Sequence, residues 1–433
     1  MRKWLLPGLS GILLIIRDPV VIAIYLVAMR DGIFPRSTFV TCTMGLAVVS
    51  AVTSLATEST PSVILYGVRA DFLHLPLIVL LPRILNAEDV RRIGFALLLT
   101  LPGMTVLALL QFKGGPDSYW NVGAGGEIGG QLYAAEGKVR ASGTFSFVTG
   151  MASYLALCTA FLLYNWVPRR VYPFWVAVAC LPALILTLVI SGSRAAVLSV
   201  AIVCGAMFYM AIRRPQNLGA AIRPLLFASV AFVALSWLTP TINEGLAVHH
   251  NRFEGGGGLK KGILFRMGED IVSGWNALFQ APPLGVGLGI GTNAGAKLMS
   301  GQRKFLLGEG EWQRVIMETG PVLGGGYLLL RFGALFIIMY SALNAFRRDQ
   351  SLPLLLASVV IVDLLFGQFG QPTALGFTVF TAGLALAAAE EEPETEGEAD
   401  LDSSAPAQNR VRGRSAYAER LHGGGENERG SQP

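Results

Sequence analysis

The chain has 433 residues, 52% of them hydrophobic and 15% charged, with a mean hydropathy of +0.53. A soluble domain carries about 25% charge, so lipid rather than water is the expected solvent. The net charge of +5 is too small, and its arginines too scattered, to indicate a nucleic-acid partner. All four cysteines, Cys42, Cys158, Cys180 and Cys204, fall inside apolar runs. That placement fits small buried hydrophobes better than a disulfide framework or a metal site.

Arg2 and Lys3 precede the first apolar stretch, but no small-residue cleavage site follows. Arg17, Asp18 and Pro19 interrupt it instead, so residues 4–16 read as a short first span kept in the protein. A spanning helix needs about 20 apolar residues. Runs near that length recur at roughly 4–16, 18–33, 37–56, 62–85, 93–112, 145–166, 172–191, 195–213, 222–240, 316–344, 352–368 and 371–389. The expected fold is all-α: a polytopic transmembrane helical bundle of about 12 spans, with 10–12 compatible with the pattern, and a large, partly helical external loop.

Short loops rich in Lys and Arg mark the cytoplasmic side. Arg30 with Arg36, Arg83 with Arg91 and Arg92, Arg169 with Arg170, Arg213 with Arg214 and Arg223, and Arg347 with Arg348 share one side of this topology. Both termini are then expected in the cytoplasm. Residues 1–389 form the transmembrane domain, with external loops 113–144 and 241–315 on the opposite face. Residues 390–433 turn acidic and then rich in Ser, Gly, Gln and Arg, the composition of a disordered cytoplasmic tail.

Chemistry is expected on the external loops, since loops on a rigid scaffold commonly carry it. Arg140 sits just before a span, where it either anchors the helix at headgroup level or binds an anion. Arg194 closes the tight turn Ser191-Gly-Ser-Arg194 between two apolar runs, a pre-organised site for a planar fork that suits a diphosphate. Residues 263–279 have the spacing of an amphipathic surface helix, on which Arg266 and Asp270 are four apart. The glycines of Gly285-Val-Gly-Leu-Gly-Ile-Gly291 lack the strand and helix of a nucleotide loop and read as flexible. His249 and His250 could contact glycan or pyrophosphate, or be merely solvated.

Glu311, Arg314 and Glu318 recur at spacings of three and four, presenting acid, base, acid on one helical face. Glu309 and Glu311 are candidates for a base acting on a sugar hydroxyl; the alternative is a satisfied charge cluster at a helix start. Their spacing also suits a two-acid metal site, a pattern of little specificity. Arg69, Asp71, His74, Arg331 and Asp363 lie within apolar runs and should face the bundle interior, with Arg331 pairing Asp363.

The order of these features resembles the bacterial O-antigen ligase and O-antigen polymerase family of polytopic membrane proteins. The resemblance rests on Arg140-Ala-Ser-Gly-Thr-Phe145, Ile190-Ser-Gly-Ser-Arg194, a long loop holding Arg266 and Pro283-Leu-Gly-Val-Gly-Leu-Gly289, and Glu318-Thr-Gly-Pro-Val-Leu-Gly324. It implies a glycosyltransferase that takes glycan from undecaprenyl diphosphate and joins it to a glycan or lipid acceptor at the periplasmic face of the cytoplasmic membrane. Other polysaccharide-assembly proteins would be its partners, and no cofactor is implied. By that analogy Arg140, Arg194 and Arg266 bind the donor, with Arg314 and His250 as further substrate contacts. Arg194 also serves the chemistry by stabilising the leaving diphosphate. Ligases of the family typically carry His-Asn where this chain has Glu309-Gly310, which shifts the expectation toward a polymerase and leaves Glu309, Glu311 or a residue elsewhere as the base. The rival from another class is a flippase of the same lipid-linked sugars, expected to show repeated halves and paired broken helices, neither of which is evident in the sequence.

Overall fold

In a computed structural model of the chain, the described residues are 3–57, 59–123, 125–126, 137–167, 171–215, 218–255, 263–300, 306–308 and 310–390. Their helices are α1 (Ser10–Ile15), α2 (Arg17–Arg30), α3 (Thr38–Ser54), α4 (Pro61–Asp71), α5 (Leu77–Leu80), α6 (Ala87–Lys113), α7 (Val148–Tyr164) and α8 (Phe174–Ile190). There follow α9 (Arg194–Arg213), α10 (Leu218–Leu238), α11 (Pro240–Gly255), α12 (Ile263–Gln280), α13 (Asn293–Ser300), α14 (Glu311–Arg347), α15 (Leu352–Phe366) and α16 (Pro372–Ala389). The expectation of an all-helical polytopic bundle is met at this level.

Among the described residues, six helical runs are long and apolar enough to cross a membrane: Pro7–Arg30, Ala87–Lys113, Arg194–Arg213, Ala221–Leu238, Glu311–Arg347 and Pro372–Ala389. Four shorter apolar helices, α3, α7, α8 and α15, stand beside them. At the bundle's centre is α7, buried on every face from Met151 to Leu162 and free of charge, as a helix apolar all round should be. Outside, Leu65, Val106, Trp237, Val322, Leu329 and Phe336 are all more than half exposed. So much bare apolar surface belongs against lipid.

The bundle has a basic end and a loop end. At the basic end Arg83 donates to the Ile33 carbonyl, Arg214 to that of Phe346, and Arg348 to that of Ala389. At the loop end the Lys3 ammonium donates to Ser142 Oγ at 2.8 Å and to the Gly143 carbonyl at 3.0 Å. Lys3 therefore lies at the loop end and Ala389 at the basic end. Arg17, Asp18 and Pro19 do not turn the chain back. Proline is tolerated in a first helical turn, and these residues open α2 with Asp18 paired to Arg69, so 4–16 and 18–33 form one passage.

Capping residues fix where helices begin. Asn86 and Asp89 form a reciprocal capping box on α6, and Ser193 Oγ accepts the Ala196 amide at the head of α9. The loop at 241–315 is partly helical as expected, holding α11, α12 and α13. The four cysteines are free; Cys158 and Cys180 are buried, whereas Cys42 is exposed on α3 rather than buried as expected. The tail at 391–433 lies outside the described residues.

Candidate functional site

Two helices are interrupted inside the bundle. One passage between the ends consists of α4, an unwound stretch after Asp71, and α5. In α14, Gly320 adopts φ 83°, ψ 168°, ahead of Pro321, which has no amide hydrogen to give the preceding turn. The segment Glu311–Thr319 is thereby freed to pack as a separate unit. Its spacing of three and four puts Glu311, Arg314 and Glu318 on one face, and that face turns inward.

Arg314 is the centre of the resulting network. Its Nε donates to Glu311 Oε2 at 2.9 Å, Nη1 to Glu318 Oε2 at 3.0 Å and Asp71 Oδ2 at 3.3 Å, and Nη2 to Asp71 Oδ1 at 2.8 Å and Glu311 Oε1 at 2.9 Å. All five guanidinium hydrogens are used, which only a planar fork allows. Glu311 Oε1 also accepts from Arg331 Nη1 at 2.8 Å and from the Phe369 amide at 3.2 Å. Arg331 then donates to the carbonyls of Leu364, Asp363 and Gly367 and lies over the Phe369 ring, 3.9 Å from its centroid. The expected Arg331–Asp363 ion pair is thus replaced. Arg331 takes only the backbone oxygen of Asp363, whose carboxylate accepts from Ser153 Oγ.

The 285–291 glycine segment is pinned rather than flexible. The amides of Val286 and Gly287 donate to the carbonyls of Met317 and Glu318, capping the helix end before Gly320. Those of Gly289 and Gly291 donate to the two oxygens of the Glu318 carboxylate at 3.0 and 2.8 Å. A Cβ on Gly291 would lie 2.6 Å from Arg314 Cγ, so only glycine lets this backbone approach the network.

A small, partly open pocket lies above these charges at the loop end. Gly291 and Thr292 line one side, Gly308 and Gly310 another, and Gln368 and Gln371 the turn between α15 and α16, with Glu311 and Arg314 as its floor. At its edge Asp270, on α12, accepts the Trp312 amide and caps α14. Burial pushes the Asp270 carboxyl up to about 6, the Glu311 charge adds to the rise, and the Trp312 amide opposes it.

Of the predicted site residues, Glu311 and Arg314 are brought together here, but not as free reagents. The lone pairs of Glu311 are occupied by two arginines and an amide, so its expected role as base is revised to structural acceptor. Arg314, expected to contact substrate, is spent on three carboxylates. Counted formally, two cations face three carboxylates, so the cluster offers a diphosphate no unpaired cation.

Arg194 is buried at the first residue of α9, beside the Gly192 carbonyl that Arg252 holds. Arg140 is half-buried in the segment leading to α7. Neither lines the pocket. His250 is exposed on α11, 3.4 Å from Glu254 and away from the pocket lining. The Arg266 side chain and Glu309 lie outside the described residues, although both chain neighbours of Glu309 line the pocket. Sequence reasoning missed the roles of Asp71 and of the glycine amides. A lone acid in an apolar run and a glycine at every second position were their signals. Among the described residues, no group of three His, Cys, Asp or Glu side chains is placed to hold a metal ion. A scan of the chain against protein-family models gives no match, and a search of curated proteins gives none either.

Proposed function

We propose that the chain is a glycosyltransferase of the membrane, polymerising or ligating glycan carried on undecaprenyl diphosphate at the outer face of the bacterial cytoplasmic membrane. The observation that carries the reading is the pocket at the loop end, where amide and hydroxyl side chains stand over a floor whose guanidiniums are already paired with carboxyls. Such a lining suits neutral sugar hydroxyls, and with no unpaired cation in it the diphosphate is assigned elsewhere, to Arg140 and Arg194 at the same end of the bundle.

In this mechanism an acceptor hydroxyl attacks the anomeric carbon of the donor glycan. The bond from that carbon to the diphosphate oxygen breaks, and the arginines neutralise the departing charge. The hydroxyl proton passes to a carboxylate. With Glu311 committed to Arg314 and Arg331, we assign that role to Glu309, whose chain neighbours Gly308 and Gly310 line the pocket. The buried network below holds the floor in place.

The test is purified full-length protein in liposomes with a defined undecaprenyl-diphosphate oligosaccharide, the products read by mass. Wild type lengthens or transfers the glycan, and Glu309→Gln slows it by about 100-fold or more. Product unchanged in yield and length for both Glu309→Gln and Arg194→Ala would remove the reading. A second reading, a flippase, is favoured by the paired interruptions of α4 and α14, joined through Arg314 and Asp71, a feature of transporters. Movement of the lipid-linked sugar across the bilayer without elongation would select it.

A further inference from the structure

A second charged cluster lies on the flank of the bundle, apart from the pocket. Asp18 on α2 is buried and pairs with Arg69 on α4; Arg17 Nε stands 3.4 Å from Asp18 Oδ1, and His74 Nε2 stands 3.5 Å from the same oxygen. Arg17 also donates from Nη1 to the Pro372 carbonyl at 2.7 Å, which ties α2 to the head of α16.

Among the described residues, two guanidiniums therefore face one carboxylate, a formal count of one positive charge in excess. Its arginines are unequal. The Arg69 side chain is 11% exposed and lies over the Tyr66 ring, while that of Arg17 is 29% exposed and donates from Nη1 to a backbone carbonyl. Around them the surface is apolar: Ile16 just ahead of α2 and Val20 within it flank Arg17, Leu65 lies one turn from Arg69 on α4, and each is more than half exposed. Arg17 stands about 20 Å along the helix from Arg30 at the basic end, within the loop-end half of a membrane.

Arg17, part-exposed among lipid-facing apolar residues and sharing the Asp18 carboxylate with Arg69, is costly there unless a further anion covers it, and the anion available at that surface is a lipid phosphate. We propose that Arg17 and Arg69 form a lateral site for the phosphate of an anionic membrane lipid, its chain lying against Ile16, Val20 and Leu65. Asp18 positions both arginines and His74 backs the carboxylate. This site does not depend on the glycosyl-transfer reading.

The test uses the full chain, delipidated in detergent and titrated by native mass spectrometry with phosphatidylglycerol, undecaprenyl phosphate or phosphatidylcholine. Wild type should retain the anionic lipids over phosphatidylcholine, and Arg17→Ala should weaken that retention about tenfold, the worth of one charge-assisted hydrogen bond. Arg17→Lys should keep part of it, and Asp18→Asn should raise it. Retention of both anionic lipids identifies a general lipid phosphate, and retention of undecaprenyl phosphate alone a polyprenyl phosphate; either supports the site. Equal retention of all three lipids by wild type, or anionic retention indifferent to both Arg17→Ala and Asp18→Asn, would overturn it.

Discussion

The molecule holds two arginine–carboxylate clusters that solve the cost of burial in opposite ways. Around Arg314 every guanidinium hydrogen has an acceptor, the carboxylates are almost wholly enclosed, and the formal count is negative. Around Asp18 the cluster sits at the bundle's flank, one arginine reaches its surface, and the formal count among the described residues is positive. The first is closed and structural; the second is open toward lipid. Side-chain chemistry is nearly the same in the two, so sign and exposure separate their roles.

Removing the hub of the closed cluster should have the largest effect. Arg314→Ala leaves three carboxylates in an apolar interior, at a cost of about 3–5 kcal/mol, read as a collapse of the melting temperature in detergent. Lysine should not rescue it, because a single ammonium cannot serve three acids from one plane. Melting of Arg314→Ala near wild type would show that the network is not what holds the interrupted helices together.

The two excess charges are compared directly by neutralising one acid in each cluster. Asp71→Asn removes the formal surplus of negative charge and should cost only about 1–2 kcal/mol, whereas Asp18→Asn leaves two cations without a counter-charge and should cost about 3 kcal/mol in lipid-free detergent. Equal losses would erase the distinction drawn here.

The smallest effect is expected at Asp270, on the rim of the closed cluster. Its folded carboxyl titrates near 6, above the ordinary 3.8, so the fold favours the neutral acid. That contribution is complete below about pH 4 and is lost as pH rises through about 6. Wild type should therefore melt lower at pH 7 than at pH 4 by an amount that Asp270→Asn abolishes, since asparagine still accepts the Trp312 amide. A slope unchanged by Asp270→Asn would assign the pH dependence to other groups.

Long apolar runs made most helices legible in the sequence, because a lipid environment demands about 20 such residues for each crossing. The first crossing was misread for a physical reason: Arg17 and Asp18 look like a boundary until Arg69, 51 residues from Asp18, supplies the partner that lets them stay inside. The site was legible in part. The face bearing Glu311, Arg314 and Glu318 follows from helical period alone, but Asp71 lies 243 residues from Arg314 and Gly291 lies 27 from Glu318. Pairings at such separations leave no periodic trace. The glycine segment read as flexible for the same reason, its order coming from Glu318 and Ser54 rather than from its own residues.

The break at Gly320 has a mechanical consequence. Above it, Glu311–Thr319 is clamped to α4 by Asp71, to the turn before α16 by Phe369, and to the glycine segment by Glu318. Below it, Pro321–Arg347 is joined to its own upper half through Gly320, which lacks helical geometry, and through Arg331, which donates to Glu311. Torque applied to the lower rod therefore reaches the pocket floor through the Arg331–Glu311 pair, so the shaft cannot turn past the break without pulling on the floor.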